Sequence, residues 1–161
     1  GKIPGLYTTL GELMDNTATH APTTGRTERW WLSINYDRIA KRVRFVFVDY
    51  GVGIFTSLIG KTGEHPVGTL YQKAQRLFGN EATELHLKSI VTESAQKTYK
   101  LPDGRGEGIY GIYQSMKRGE MDNLHIISND AFGDISGDNY QRLGKELSGT
   151  LYYWEICDNN I

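Results

Sequence analysis

Residues 47–54 read FVDYGVGI, an apolar strand that ends at Asp49 and runs directly into a Gly-x-Gly turn. A carboxylate at a strand end, beside a pocket, can accept a hydrogen bond from the amino group of an adenine. Gly51 and Gly53 carry no Cβ, so the backbone there can approach a base and a ribose closely. Asp is also a common turn former. The segment therefore indicates either a nucleotide pocket or an ordinary strand-to-loop turn.

The strand that ends at Asp49 has a partner immediately before it in the chain. Side chains alternate between two faces in residues 28–36 and again in residues 43–49, and a short polar segment connects the two runs. A period of two is typical of strands, and two such runs joined by a short connection predict an antiparallel hairpin.

Helical periodicity flanks this hairpin on both sides. Leu6, Leu10, Leu13 and Thr17 form one stripe of a helix predicted over residues 6–21, before Pro22. The same patterns predict two helices within 67–96, broken at Gly79-Asn80, a helix over 109–116, and strands at 124–128 and 150–157. Helices segregated from strands in this way predict an α+β protein, a two-layer sandwich with helices on one face of a mixed, mainly antiparallel sheet.

The first helix carries two polar residues that suit phosphate chemistry. Glu12 and Asn16 are four residues apart, so they lie one turn apart on the same face. The amide oxygen of Asn is a suitable hard ligand for Mg²⁺, and Glu can orient and deprotonate a water molecule that attacks a terminal phosphate. Solvated polar residues on an amphipathic helix give the same pattern.

A second glycine cluster, Gly104-Arg105-Gly106-Glu107-Gly108, opens the helix predicted over 109–116. Backbone N–H groups and a helix N-terminus favour phosphate binding. A dinucleotide-binding fingerprint would need a strand before the glycines, but residues 98–103 read as a polar loop. A Walker-type loop is excluded too, because no Gly-Lys-Ser/Thr follows. Further along, Gly149-Thr150 begins the last strand, where a hydroxyl can join a water network around a base or simply lie in a turn.

Taken together and in order, these segments resemble the motifs of the GHKL superfamily of ATPases. That superfamily includes DNA gyrase, the heat-shock chaperone ATPases, the mismatch-repair ATPases and the sensor histidine kinases. Glu12-x-x-x-Asn16 resembles its N box, Asp49-x-Gly51-x-Gly53 its first Gly box, Gly104-x-Gly106-x-Gly108 its second, and Gly149-Thr150 its final element. The resemblance spans about residues 6–156 and implies the histidine-kinase-like (Bergerat-type) ATPase fold.

The resemblance implies ATP and Mg²⁺ as ligands and a role for each matching residue. Asp49 would bind the adenine amino group with help from Thr150 through water, and Gly51 and Gly53 would shape the base pocket. The residues of the phosphate side would be Asn16 as Mg²⁺ ligand, Glu12 as general base, and Gly104, Gly106 and Gly108 as lid hinge and phosphate contact.

Three functions remain open on this resemblance. The first is an ATPase domain, an enzyme that hydrolyses ATP slowly and drives or regulates a partner domain. The second is a phosphotransferase of the histidine- or serine-kinase type, and the third is a nucleotide-sensing module without turnover.

Residues 54–103 form a long segment between the two Gly boxes and are expected to contain a mobile lid. His20 makes the N box look intermediate between the gyrase-like and histidine-kinase branches. Gyrase-type ATPases take a lysine from a second domain to reach the γ-phosphate; here Lys61 or Arg105 could replace it, or each could be a solvated loop charge.

Composition sets further limits on the class of protein. The chain has 161 residues, 39% of them hydrophobic, which predicts one packed domain. With 18 basic and 19 acidic residues, no basic excess indicates nucleic-acid binding. A single cysteine, Cys157, suits a reducing compartment, and no apolar run reaches the length of a membrane span, so a cytoplasmic location is expected. Because residue 1 is Gly rather than Met, we expect a piece of a longer protein, although processing or a tag remnant would give the same start. The expected partners are other domains of that protein, a partner chain, or a second copy in a homodimer.

Overall fold

A computed structural model describes residues 4–20, 29–58, 66–94 and 108–157 of the chain. Five helices and four strands occur in these ranges. The helices are α1 (Pro4–His20), α2 (Ile54–Leu58), α3 (Pro66–Phe78), α4 (Thr83–Ser94) and α5 (Gly108–Lys117). The strands are β1 (Trp30–Asp37), β2 (Arg42–Asp49), β3 (Asp122–Asp134) and β4 (Asn139–Cys157).

The four strands form one sheet in the order β1-β2-β4-β3. The hairpin predicted from residues 28–49 is confirmed, with Trp30 opposite Asp49 and Asp37 opposite Arg42. All the strand pairs among the described residues are antiparallel, whereas a mixed sheet was expected. The α+β architecture with an open sheet agrees with the predicted two-layer sandwich.

One hydrophobic core joins the helices to a single face of the sheet. Phe45 and Phe47 of β2 point into it, and Trp154 of β4 stacks on Phe45 with a ring-centroid distance of 5.0 Å. The predicted α1 stripe is confirmed, because Leu13 and Thr17 are buried and Leu6 and Leu10 pack against the core. Helix α1 packs on α5, and α4 lies against β3 and β4.

Two parts of the fold differ from the sequence prediction. The short helix α2 was not predicted, because five residues are too few to show a helical period. Strands β3 and β4 were predicted only at 124–128 and 150–157, yet they continue to a turn at residues 135–138. The added part of β4 is mostly exposed and polar, so it carries little of the hydrophobic alternation that marks a strand. The predicted break between two helices at Gly79 is confirmed. None of the described helices is long and apolar enough to cross a membrane.

Candidate functional site

Asp49, the last residue of β2, lies where the central pair of strands ends. Its neighbour across the ladder is Thr150 of β4, so the sheet register brings together two residues that are far apart in the chain. Asp49 is half-buried, and burial raises the pKa of its carboxyl group. The N–H of Gly51 donates a 2.9 Å hydrogen bond to Oδ1 of Asp49, which opposes that rise and folds the turn back on the carboxylate.

Gly149 allows β4 to approach the end of β2. Its φ is +119°, a conformation that side chains with a Cβ rarely adopt. A Cβ at this position would overlap the carbonyl oxygen of Asp49. The contact between the two backbones therefore requires glycine directly before Thr150. This is a physical reason for the Gly-Thr pair that holds whether or not a ligand binds.

A network of hydroxyl groups lies beside Asp49 and connects three elements. Oγ of Ser128, on β3, lies 3.0 Å from Oγ1 of Thr150, and both residues are buried. The backbone N–H of Ile54, the first residue of α2, donates a 2.8 Å hydrogen bond to the same Ser128 Oγ. Ser128 therefore ties the glycine turn to the two long strands. The sequence prediction did not assign it a role, since a serine at a strand end gives no distinctive signal.

Asn129 fixes the other side of the glycine turn. It is buried with φ +53°, at a point where the register between β3 and β4 shifts. Its Nδ2 donates to the carbonyl oxygen of Val52 at 3.2 Å and to Oε1 of Glu146 at 3.1 Å. Asn is one of the few residues other than Gly that adopts positive φ readily. Shifts of register between paired strands often lie next to functional sites. The sequence prediction also missed this residue.

Gly53 leaves no room for a side chain beside Asn129. Its φ is +81°, and a Cβ there would overlap the Asn129 carboxamide. We expect Gly53→Ala to destabilise the fold by about 2–3 kcal/mol, since the positive φ costs about 1–2 kcal/mol and the displaced carboxamide loses hydrogen bonds. Urea unfolding measures this change.

A matched control is Gly119→Ala. Gly119 has a similar φ of +72° but open space where a Cβ would be placed, so this variant should lose only the backbone term. Equal losses of stability in the two variants would show that Asn129 does not constrain the turn.

The two polar residues of the predicted N box lie on α1. Helix α1 covers both positions, so the expected spacing of one turn is present. Glu12 is half-buried next to the buried Leu13. The side chain of Asn16 lies outside the described residues, so its predicted role as a Mg²⁺ ligand stays a prediction.

Most of the second glycine cluster lies outside the residues that the structure describes. Gly104 and Gly106 lie in the range 95–107, which the structure does not describe, while Gly108 is the first residue of α5. The helix predicted after the cluster is therefore present. Parts of the expected lid, residues 59–65 and 95–103, also lie outside the described ranges. Among the described side chains there is no group of three or more His, Cys, Asp or Glu residues that could hold a metal ion.

The structure brings together four of the predicted residues: Asp49, Gly51, Gly53 and Thr150. Ser128 and Asn129 join them, so six residues from β2, β3, β4 and the glycine turn form one connected cluster. No family model matches the chain, and no curated protein matches it. The class that the fold defines is an α+β protein with a four-stranded antiparallel sheet.

Proposed function

We propose that this chain is a Mg-ATP-binding domain of the histidine-kinase-like ATPase type, which hydrolyses ATP slowly and drives or regulates a partner domain. The observation that carries the proposal is the half-buried carboxylate of Asp49 at the end of β2, with its pKa raised by burial. The ordered motifs and the α+β sandwich support the same reading.

The carboxylate of Asp49 has capacity for a ligand. Taking a carboxylate partly out of water has a free-energy cost that hydrogen-bond donors must offset. Gly51 supplies one donor, to Oδ1, whereas an ionised carboxylate can accept about four hydrogen bonds. An adenine amino group is a donor of suitable size and charge, and the Thr150 hydroxyl beside it can hold a bridging water molecule.

The phosphate side of the proposal depends on α1 and on the second glycine cluster. Asn16 would share Mg²⁺ with the phosphate oxygens, because a neutral amide oxygen suits an ion whose charge the phosphates already balance. Glu12 would hold and deprotonate the attacking water molecule. Gly104, Gly106 and Gly108 would approach the phosphates through backbone N–H groups.

We expect the chain to bind ATP at least about tenfold more tightly than GTP. The Asp49 carboxylate accepts a hydrogen bond from the adenine amino group, but guanine presents a carbonyl oxygen at that position, and two acceptors facing each other cost about 1–3 kcal/mol. Isothermal titration with each nucleotide and Mg²⁺ measures the difference. ITP is the matched control, since it has the same carbonyl without the second amino group of guanine and should bind as weakly as GTP. Equal or tighter binding of GTP would contradict the proposal.

A further inference from the structure

Strand β1 is an edge of the sheet that lacks the usual protection against pairing. It is eight residues long, from Trp30 to Asp37, and residues 30–36 contain no Pro and no charged side chain. Its pairing with β2 is regular, without a bulge. Natural edge strands are usually short, charged, bulged or interrupted by Pro, because an open edge pairs readily with another strand.

The opposite edge of the same sheet is protected in this way. The register of β3 shifts at three points along its pairing with β4. Asn123 and Asn129 have positive φ, and the strand carries three aspartates, at positions 122, 130 and 134, with a fourth at 138 in the following turn. The contrast makes β1 the edge suited to pair with another strand.

The backbone of β1 presents its hydrogen-bonding groups outward at the even positions. The N–H of Tyr50 donates to the carbonyl oxygen of Arg29 at 3.0 Å, so odd positions of β1 bond to β2. In an antiparallel ladder these positions alternate. The N–H and C=O groups of Trp30, Leu32 and Ile34 therefore point away from β2, and no described strand pairs with that side of β1.

Apolar side chains on the core-facing side of β1 are also uncovered. Ile34 is 57% exposed, Trp30 45% and Tyr36 48%, although they lie on the same side of the sheet as the buried Phe45 and Phe47. Among the described helices, α4 packs on β3 and β4 and α2 packs on β3, while this margin of β1 stays in contact with solvent. An apolar margin beside an open backbone edge is typical of a site for strand addition.

We propose that β1 pairs antiparallel with β1 of a second copy of this chain, across a two-fold axis at Ser33. The axis is perpendicular to the sheet, so both helical layers lie on the same side of a continuous eight-stranded sheet. In this register Leu32 and Ile34 of one copy bond through their backbones to Ile34 and Leu32 of the other. All outward N–H and C=O groups then meet outward groups.

Charge and shape select this register. It places Arg29 of each copy opposite Asp37 of the other, so opposite charges lie at both ends of the paired strands. It also places Trp30 opposite Tyr36, an aromatic pair on the core-facing side. A shift of two residues would remove both of these matches, placing Asp37 opposite Trp31. A second copy supplies this complementary sequence in the correct antiparallel order.

The interface predicted from one strand pair is small, so the dimer should be weak and depend on concentration. Sedimentation velocity over a range of micromolar to millimolar concentrations should show the mean mass rising toward twice that of the monomer. Ile34→Lys should shift this transition to at least tenfold higher concentration, because a lysine on an edge strand opposes pairing. Leu77→Lys is the matched control, since Leu77 is 64% exposed on α3, a helix that packs on α4 and α2. A wild type that stays monomeric throughout, or an Ile34→Lys chain that dimerises like wild type, would overturn the proposal.

Cysteine cross-linking tests the register itself. In a background with Cys157→Ser, Ser33→Cys places two cysteines directly opposite each other in a pair without backbone hydrogen bonds, with Cα atoms about 4.5 Å apart, which suits a disulfide. Asn35→Cys is the matched control on the same face, because it faces Trp31 of the second copy and its own counterpart lies about 14 Å further along the strand. Mild oxidation should link the Ser33→Cys chains at least tenfold faster. Equal rates for the two variants would exclude this register. Neither experiment uses nucleotide, so both are independent of the proposed function.

Discussion

Replacing Asp49 by Ala is expected to weaken ATP binding by about a hundredfold or more while the chain remains folded. The variant removes the proposed acceptor for the adenine amino group, and a donor left unpaired away from water costs about 1–3 kcal/mol. It also removes the acceptor for the Gly51 N–H, a hydrogen bond that holds the glycine turn against the end of β2. Isothermal titration with Mg-ATP measures the loss, and circular dichroism checks the fold. Unchanged affinity with a native spectrum would show that Asp49 acts only as a turn residue.

Asp49→Asn separates the charge of this side chain from its role in the turn. The amide oxygen can still accept the Gly51 hydrogen bond, but the NH₂ group then faces the amino group of adenine, so binding should weaken by roughly tenfold to a hundredfold. The fold should not suffer, because Asn carries no charge to bury. A variant that loses affinity without losing stability would assign the carboxylate to ligand binding.

The pH dependence of stability gives an independent check on Asp49. Burial raises the pKa of its carboxyl group in the folded chain above the ordinary value of 3.8. The folded state therefore holds the proton more tightly than the unfolded state, and this group lowers stability as the pH rises from 3.8 through the raised pKa. Asp49→Asn should be as stable as wild type near pH 3 and more stable at pH 7. Urea unfolding at both pH values measures the difference, and a less stable Asn variant at pH 7 would contradict this account.

The sequence predicted those parts of the fold that have a regular period and lie against the core. Leu13 and Thr17 showed the buried side of α1, and the alternation around Phe45 and Phe47 showed the β1–β2 hairpin. Both signals arise because a helix or a strand must bury one face. The outer half of the β3–β4 hairpin was missed for the same reason, since its side chains are mostly exposed and polar.

The candidate site was predictable where backbone geometry demands glycine. Gly53 and Gly149 have positive φ, and a Cβ at either position would clash with a neighbour. Both positions therefore need glycine, and a glycine is visible in the sequence. Ser128 and Asn129 were not predictable, because their importance arises only when β3 is paired with β4 and brought against the glycine turn. A hydrogen bond between residues more than 70 positions apart leaves no local pattern in the chain.

Glu12→Gln is expected to keep ATP binding and to slow hydrolysis by about 10²–10⁴-fold, the usual loss when a general base is removed. The spacing on α1 places Glu12 one turn before Asn16, so the two can act on the same metal-bound phosphate and its water molecule. Gln keeps the size of the side chain and its hydrogen-bonding ability but cannot take a proton. Since the resemblance implies that a lysine from a second domain assists catalysis, the isolated chain should be slow. Hydrolysis is therefore best measured in single turnovers with protein in excess.

A matched control for Glu12→Gln lies on the same helix. Asp15 is an exposed acid three residues further on, and Asp15→Asn removes one negative charge from α1 without touching the proposed base. It should hydrolyse ATP at the wild-type rate, which separates general-base loss from a change in the charge of the helix. Equal hydrolysis by wild type and Glu12→Gln would exclude the gyrase-like mechanism and direct attention to phosphate transfer to a partner protein. Tight binding of ATP without any hydrolysis by wild type, even with a partner domain or partner chain added, would instead identify a nucleotide sensor, because the proposed binding through Asp49 does not require Glu12.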